Sequence, residues 1–358
     1  MGILYADTGG NAANSGSSDN NTADLTGTAC TAAGSVVTLD GSPDLSGLVT
    51  SGATQSSINI AGATNANRTV FWITAFDNVL KTVTVDVAPT GITTNAWKIG
   101  GRYLWPSGST ANVVEGALRA GDILQFNNSP STRTATYITR RTDGDSTSGF
   151  ITVRGKAGVR PLLNIASGTA NVMTMTSANT WYVSNLELQQ NGTVGALITG
   201  NLGGGFTVDN VKFSKGPATA ISSTAAFRVI NSEFTQLVGD CITCTTGGSN
   251  VLISGNYIHD NTANGVVISA TTPVVMILNN IIDTNGARGI YVSGAPTNVA
   301  NSVTIVGNSI YNNTTAGLEV ADVDSNVFLY NNIFQNNAST ANVIWSAGTA
   351  ELISVHGY

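Results

Sequence analysis

The chain has 358 residues, two or three domains' worth, yet only 10% are charged, against ~25% in an average soluble domain. Its 15 Lys and Arg against 21 Asp and Glu give a net charge of −6, which excludes the basic stripe that nucleic-acid binding needs. Ser, Thr, Asn and 40 Gly replace the missing charge, and helical surfaces favour Glu, Lys and Arg, so the composition points to an all-β protein with neutral polar surfaces.

The first residues, Met1 to Asp7, hold no basic region and no long apolar run, which predicts no signal peptide. No later stretch is apolar and long enough for a membrane-spanning helix, so no membrane insertion is expected. Gly9 to Asn21 is rich in Gly, Asn and Ser and reads as a loop or extended arm. Strands are predicted at Ser35–Leu39, Ser57–Ala61, Thr69–Phe76 and Lys81–Val87, separated by Gly, Pro, Asn and Asp. Residues 1–110 are therefore read as a small N-terminal β domain, a candidate particle anchor. Residues 111–120 carry Val113, Val114, Ala117 and Leu118 at helical spacing and predict a short capping helix, with a strand over Gly121–Phe126.

From residue 181 the chain repeats. Seven segments end in Asn or Gly at a position p: Asn185, Asn210, Asn231, Gly255, Asn279, Gly307 and Asn331, in steps of 21 to 28 residues. Positions p−4 and p−2 are apolar, as in Trp181/Val183 and Val275/Ile277. At p+3 stand Leu188, Phe213, Phe234, Ile258, Ile282, Ile310 and Phe334. Small residues hold p+10, from Gly195 to Gly317 and Ala341, and p+13 runs from Ile198 through Ser223, Cys244, Ile268, Val292 and Val320 to Ile344. The last four repeats add Asn256, Asn280, Asn308 and Asn332 at p+1.

Period-two apolar positions face one side of a strand. Asn and Gly tolerate the left-handed backbone of a turn, which explains p. A repeat of ~24 residues with two or three short strands describes a parallel β-solenoid over 111–358, each coil hydrogen-bonded to the next and aligned Asn side chains bonded from coil to coil. Ile151–Gly155 and Ile353–Gly357 fit the same template at either end, and Tyr358 falls one strand into a coil, which predicts further chain or another subunit over that edge.

The segment from Ala111 to Leu163 resembles the start of right-handed parallel β-helix proteins, where a short helix leads to Gly121-Asp122-Ile123-Leu124 and then to Ile151-Thr-Val-Arg154-Gly155. The coils after Trp181 are similar to pectate-lyase-like and phage tailspike solenoids. Tyr5-Ala-Asp-Thr-Gly-Gly10 and Val37-Thr-Leu-Asp-Gly-Ser-Pro-Asp-Leu-Ser46 are similar to modules of phage virion proteins. The fold so implied hosts lyases, hydrolases, epimerases and inert fibres. The family's catalytic signatures are not matched: the Asn-Thr-Asp and Gly-His-Gly of polygalacturonases, the Trp-x-Asp-His of pectate lyases and the Asp-Pro-His of alginate epimerases do not occur here.

One outward patch qualifies as a candidate site. Residues at p+2 and p+4 face outward or lie on the turn, so stacked coils bring Glu233, Tyr257, His259, Asp260, Asp283 and Tyr311 together. Glu233, Asp260 and Asp283 are the candidate acid and base, and Tyr257, His259 and Tyr311 the candidate sugar-binding groups. Ordinary solvated turn residues are the plainer explanation of the same pattern. Cys241 and Cys244 fall on the small corner and an inward position and read as buried hydrophobes, not as a redox or zinc pair. Asp322, Asp324 and Asp283 offer oxygen ligands for calcium, with a solvated loop the plainer reading, so no metal and no cofactor is expected.

These observations favour a structural or adhesive virion protein of a bacteriophage, a capsid decoration, fibre or spike subunit assembled in the host cytoplasm. It is expected to form a homotrimer, to meet other virion proteins through its N-terminal domain and to hold cell-surface polysaccharide. The outward apolar residues Ile281 and Ile333 point to self-association. The alternatives are a tailspike-type glycan depolymerase, lyase or hydrolase, and a bacterial surface adhesin.

Overall fold

The computed structural model describes residues 3–7, 24–52, 54–63, 69–100, 103–104, 118, 121–130, 132–134, 136–137, 150–175, 181–193, 195–200, 205–245, 250–269, 274–293, 302–321, 327–338, 342–345 and 355–356. Among them every regular element is a strand, and no helix is long and apolar enough to cross a membrane. The helix expected at 111–120 lies outside the described residues except for Leu118, which is buried. The chain divides into two compact units, Met1–Arg133 with Arg141–Leu162, and Thr134–Arg140 with Leu163–Tyr358.

The first unit contains a seven-stranded antiparallel sheet, in the order Leu25–Gly27, Trp97–Ile99, Ser57–Ile60, Val70–Asp77, Thr82–Val85, Val36–Leu39 and Cys30–Ala33. Its two edge strands follow one another in sequence, so the sheet must curl around its own core. The bend falls in the longest strand, whose register shifts between Ile73 and Ala75. Val37, Ile58, Phe71, Ile73, Val83 and Trp97 fill the interior. At the seam, Thr28 donates its backbone N–H and hydroxyl to Asp40 at 3.1 and 2.7 Å, and Trp97 Nε1 donates to the same carboxylate at 2.8 Å. The Thr28 and Trp97 hydrogen bonds hold the Asp40 carboxyl below its ordinary range. A Cβ on Gly27 would lie 2.2 Å from both Asp40 and Trp97, so the seam closes only over glycine.

A boundary at residue 110 does not describe this unit. Ile3–Asp7 pairs in parallel with Ile123–Phe126 and with Tyr103–Leu104, and Ile123–Phe126 pairs with Ile151–Gly155. The antiparallel sheet spans only 24–99, inserted between parallel strands. The reason is hydrophobic. Leu4 and Ala6 are fully buried, and an isolated five-residue strand buries such a face only by joining a sheet.

The second unit is the solenoid. Its first sheet stacks Trp181–Ser184, Phe206–Asp209, Phe227–Ile230, Val251–Ser254, Val275–Leu278, Val303–Val306 and Val327–Tyr330, each parallel to the next and in register. A second sheet runs from Glu187–Gln190 to Ile333–Gln335, and a third from Met173–Met175 to Val343–Trp345. The p−4, p−2 and p+3 side chains point into the coil and are buried, with Phe334 partly so. Like residues stack there: Phe213 on Phe234 with centroids 4.4 Å apart, and Phe206 on Phe227 at 5.3 Å.

The residues at p take a left-handed backbone. Asn185, Asn210, Asn231, Asn279 and Asn331 have φ between 51° and 56°, and Gly255 and Gly307 have 67°. A second left-handed column, unread in the sequence, stands at p+5: Gln236, Asp260, Thr284, Asn312 and Asn336. The p+1 asparagines form a buried ladder, Nδ2 donating to the next Oδ1 from Asn256 to Asn280, Asn308 and Asn332, each at 2.9 Å. A parallel ladder at p+6 joins Asn261, Asn285, Asn313 and Asn337 at 2.8–2.9 Å. At the p+10 corner, a Cβ on Gly265 or Gly289 would meet the next coil's carbonyl oxygen at 2.6 or 2.7 Å.

The p+13 register needs correction at both ends. Ile198 pairs with Ile221 rather than Ser223, and Val320 pairs with Trp345 rather than Ile344. The first of these coils carries two more residues before its third strand, and the last carries one more. Surface turns absorb such insertions at little cost.

Candidate functional site

The outward face of the second sheet presents two columns. At p+2 stand Lys212, Glu233, Tyr257, Ile281, Ser309 and Ile333, and at p+4 stand Thr235, His259, Asp283, Tyr311 and Gln335, in parallel register. Neighbours within a column are one strand spacing apart, ~4.8 Å. The alternation that sends Phe234, Ile258 and Ile282 inward therefore sends a dense set of polar groups outward.

Glu233 accepts a hydrogen bond from Lys212 Nζ at 2.9 Å, and His259 Nε2 lies 3.5 Å from the same Glu233 oxygen. Burial raises the Glu233 pKa, but Lys212 and His259 more than offset it, and the carboxyl sits below its ordinary range. His259 Nδ1 is 2.8 Å from Asp260 Oδ2, and the Tyr257 ring stacks on the imidazole with centroids 3.8 Å apart. Tyr257 is 40% exposed, so the stack presents an aromatic surface to solvent.

Asp283 is the most enclosed acid of the group, 8% exposed. Thr284 donates its hydroxyl to Oδ2 at 3.2 Å, while Oδ1 is buried without a hydrogen-bond partner. Burial pushes this carboxyl above its ordinary range, against the lowering effects of Thr284 and His259. Tyr311 follows Asp283 in the same column and Tyr257 lies diagonally across. Burial raises both phenols, and the Asp283 charge raises them further.

The structure thus brings the six expected residues onto one face, and it separates their roles. Asp260 occupies the left-handed turn column with φ of 53° and spends its carboxylate on His259. It is a poorer acid or base candidate than Glu233 and Asp283. Lys212, which tunes Glu233, was not among the expected residues. The signal lay in the same p+2 column one coil earlier. Asp322 and Asp324 lie outside the described residues. Among the described residues no three His, Cys, Asp or Glu are placed to share a metal ion. Cys30, Cys241 and Cys244 are free and buried, and burial raises the Cys30 thiol to about 11 and the other two further.

Residues 171–355 match the family described as the right handed beta helix region. The chain belongs to this β-helix family. No curated protein matches it. Among solved structures the β-helix is similar to a pectate lyase, with 15% identity over 67% of this chain and 72% of that one and a TM-score of 0.46. It is similar to a periplasmic alginate epimerase, with 15% identity over 63% of this chain and a TM-score of 0.40. This chain spans 57% of that epimerase's length. The A-module of a mannuronan C-5 epimerase from Azotobacter vinelandii gives 13% identity over 70% of this chain and 86% of that one, with a TM-score of 0.38. At these identities the likeness concerns the fold alone.

Proposed function

We propose that this β-helix protein is a polysaccharide-active protein whose acid–base pair is Glu233 and Asp283. One observation carries the reading. Two carboxylates on one outward face stand in opposite environments: Asp283 is enclosed with an open oxygen, and Glu233 is paired with a lysine. Their proton affinities are driven apart, as an acid and a base require.

Asp283, protonated, donates its proton to the glycosidic oxygen as the C–O bond breaks. Glu233 takes a proton from the water whose oxygen bonds to the anomeric carbon. The cycle closes when Glu233 releases its proton to solvent and Asp283 regains one. The backbones of the pair lie two strand spacings and two residues apart, ~12 Å, which leaves room for a sugar and a water between the two side chains. Tyr257, backed by His259, offers the face on which a sugar ring stacks.

The glycan-active reading replaces passive adhesion as the best supported role, and nothing in the fold favours a virion over another setting. The proposal extends to assembly. Met276, Ile281 and Ile333 point outward at 41%, 44% and 60% exposure and support self-association as a trimer, which sedimentation at micromolar concentration tests.

The decisive experiment incubates the purified chain with bacterial capsules, lipopolysaccharides and plant and algal polysaccharides, following polymer size by light scattering. Shortening of one polymer, lost in both Glu233→Gln and Asp283→Asn, is expected. Binding without shortening would return the protein to the adhesive class.

A further inference from the structure

This inference rests on the glycan-active reading and concerns the charge of the sugar. From Glu233 to Asn336, positions p+2 to p+5 of the second sheet hold Glu233, Asp260, Asp283 and His259, and no Lys or Arg. The cation next to them, Lys212, is spent on Glu233, and Arg288 on the third sheet is held by both oxygens of Glu319, at 2.5 and 3.2 Å. Lys215 lies beyond Lys212 on the preceding coil.

At the centre of this face, Asp283 Oδ1 is buried without a hydrogen-bond partner, and His259 Nε2 beside it has only Glu233, at 3.5 Å. Buried polar atoms are normally paired, and an open carboxylate oxygen is completed by a group that donates. Sugar hydroxyls, acetamido N–H groups and ammonium groups donate. A uronate carboxylate only accepts, and it would bring a negative charge beside Glu233 and Asp260, on positions that hold no Lys or Arg of their own. The aromatic surface of Tyr257 is indifferent to charge and adds affinity for any pyranose ring.

We infer that the face built by Glu233, Tyr257, His259 and Asp283 takes a non-acidic glycan, of neutral or amino sugars, and discriminates against polyuronates. The likeness in fold to a pectate lyase and to alginate epimerases would then not extend to the charge of the substrate.

The test uses matched pairs that share a backbone and differ in charge. Cello-oligosaccharides are compared with their C6-oxidised uronate forms, and methyl-esterified oligogalacturonides with the free acids. Chitin and chitosan oligomers complete the panel. Binding to the full chain is measured by calorimetry at ~0.15 M salt, where surface charge is largely screened but close charges are not. The non-acidic member of at least one pair is expected to bind tenfold or more tightly than its acidic partner. Asp260→Asn, whose left-handed turn suits Asn, is expected to narrow that ratio without loss of fold. Tighter binding of the acidic members overturns the inference while sparing the glycan-active reading. Silence from every oligosaccharide overturns both.

Discussion

The asparagine ladders and the outward face of the second sheet are built by the same coil-to-coil step and put it to opposite uses. In the ladders each step brings a side chain beside an identical one. An amide both donates and accepts, so Asn256, Asn280 and Asn308 satisfy one another and the backbone while buried. On the outward face each step brings unlike residues together, and the set from Glu233 to Tyr311 ends with unpaired atoms and shifted carboxylates. Where repetition closes a network the side chains satisfy one another, and where it is broken polar atoms are left over.

The sharpest way to break the comparison is to interrupt a ladder. Asn280→Ala takes away the oxygen that accepts from the Asn256 N–H and Nδ2 and the amide that donates to Asn308 Oδ1 and the Ile253 carbonyl, and a loss of about 3 kcal/mol is expected in denaturant unfolding, from ~1–3 kcal/mol per stranded group. Asn332→Ala, at the less buried end, should cost clearly less. Next comes the corner. A Cβ at Gly289 meets Gly317 O and Ile310 Cγ2 at 2.7 Å, so Gly289→Val should cost ~1–3 kcal/mol. In the turn column, Asn279→Ala should cost ~1–2 kcal/mol, while Asn279→Gly, matching Gly255 and Gly307, should cost much less.

The candidate site should respond with the opposite sign. The Asp283 carboxyl is raised by burial, so its neutral form is favoured in the folded state. Wild-type stability from this group is complete below the ordinary carboxylate range and falls as pH rises through the raised value. Asp283→Asn escapes that loss. Its melting temperature should match wild type at low pH and exceed it at neutral pH, and a deficit at neutral pH would refute the assignment. Smallest of all, Tyr257→Ala should leave stability within ~0.5 kcal/mol while weakening glycan binding.

Much of this was legible in the residues. The p column announced its left-handed turns because only Asn and Gly occupy it, and the p+1 ladder showed as an unbroken run of Asn. The p+6 ladder is equally unbroken from Asn261 to Asn337 but stands in a turn, where asparagine is common and attracts no notice. The p+5 column escaped because Gln236, Asp260 and Thr284 are not residues that advertise a positive φ. The first strand, Ile3–Asp7, does not show in the sequence because its partner, Ile123–Phe126, is over a hundred residues away.

The sequence by itself determined the solenoid, its coil length, its inward columns and the face on which the candidate residues meet, because strand alternation and a fixed repeat are local rules that act on every coil alike. Only the tertiary structure decided which of those residues are spent on one another. Lys212 is committed to Glu233, Asp260 to His259, and one oxygen of Asp283 is left open. Periodicity places side chains on a face, but their reach, burial and partners depend on groups from neighbouring coils.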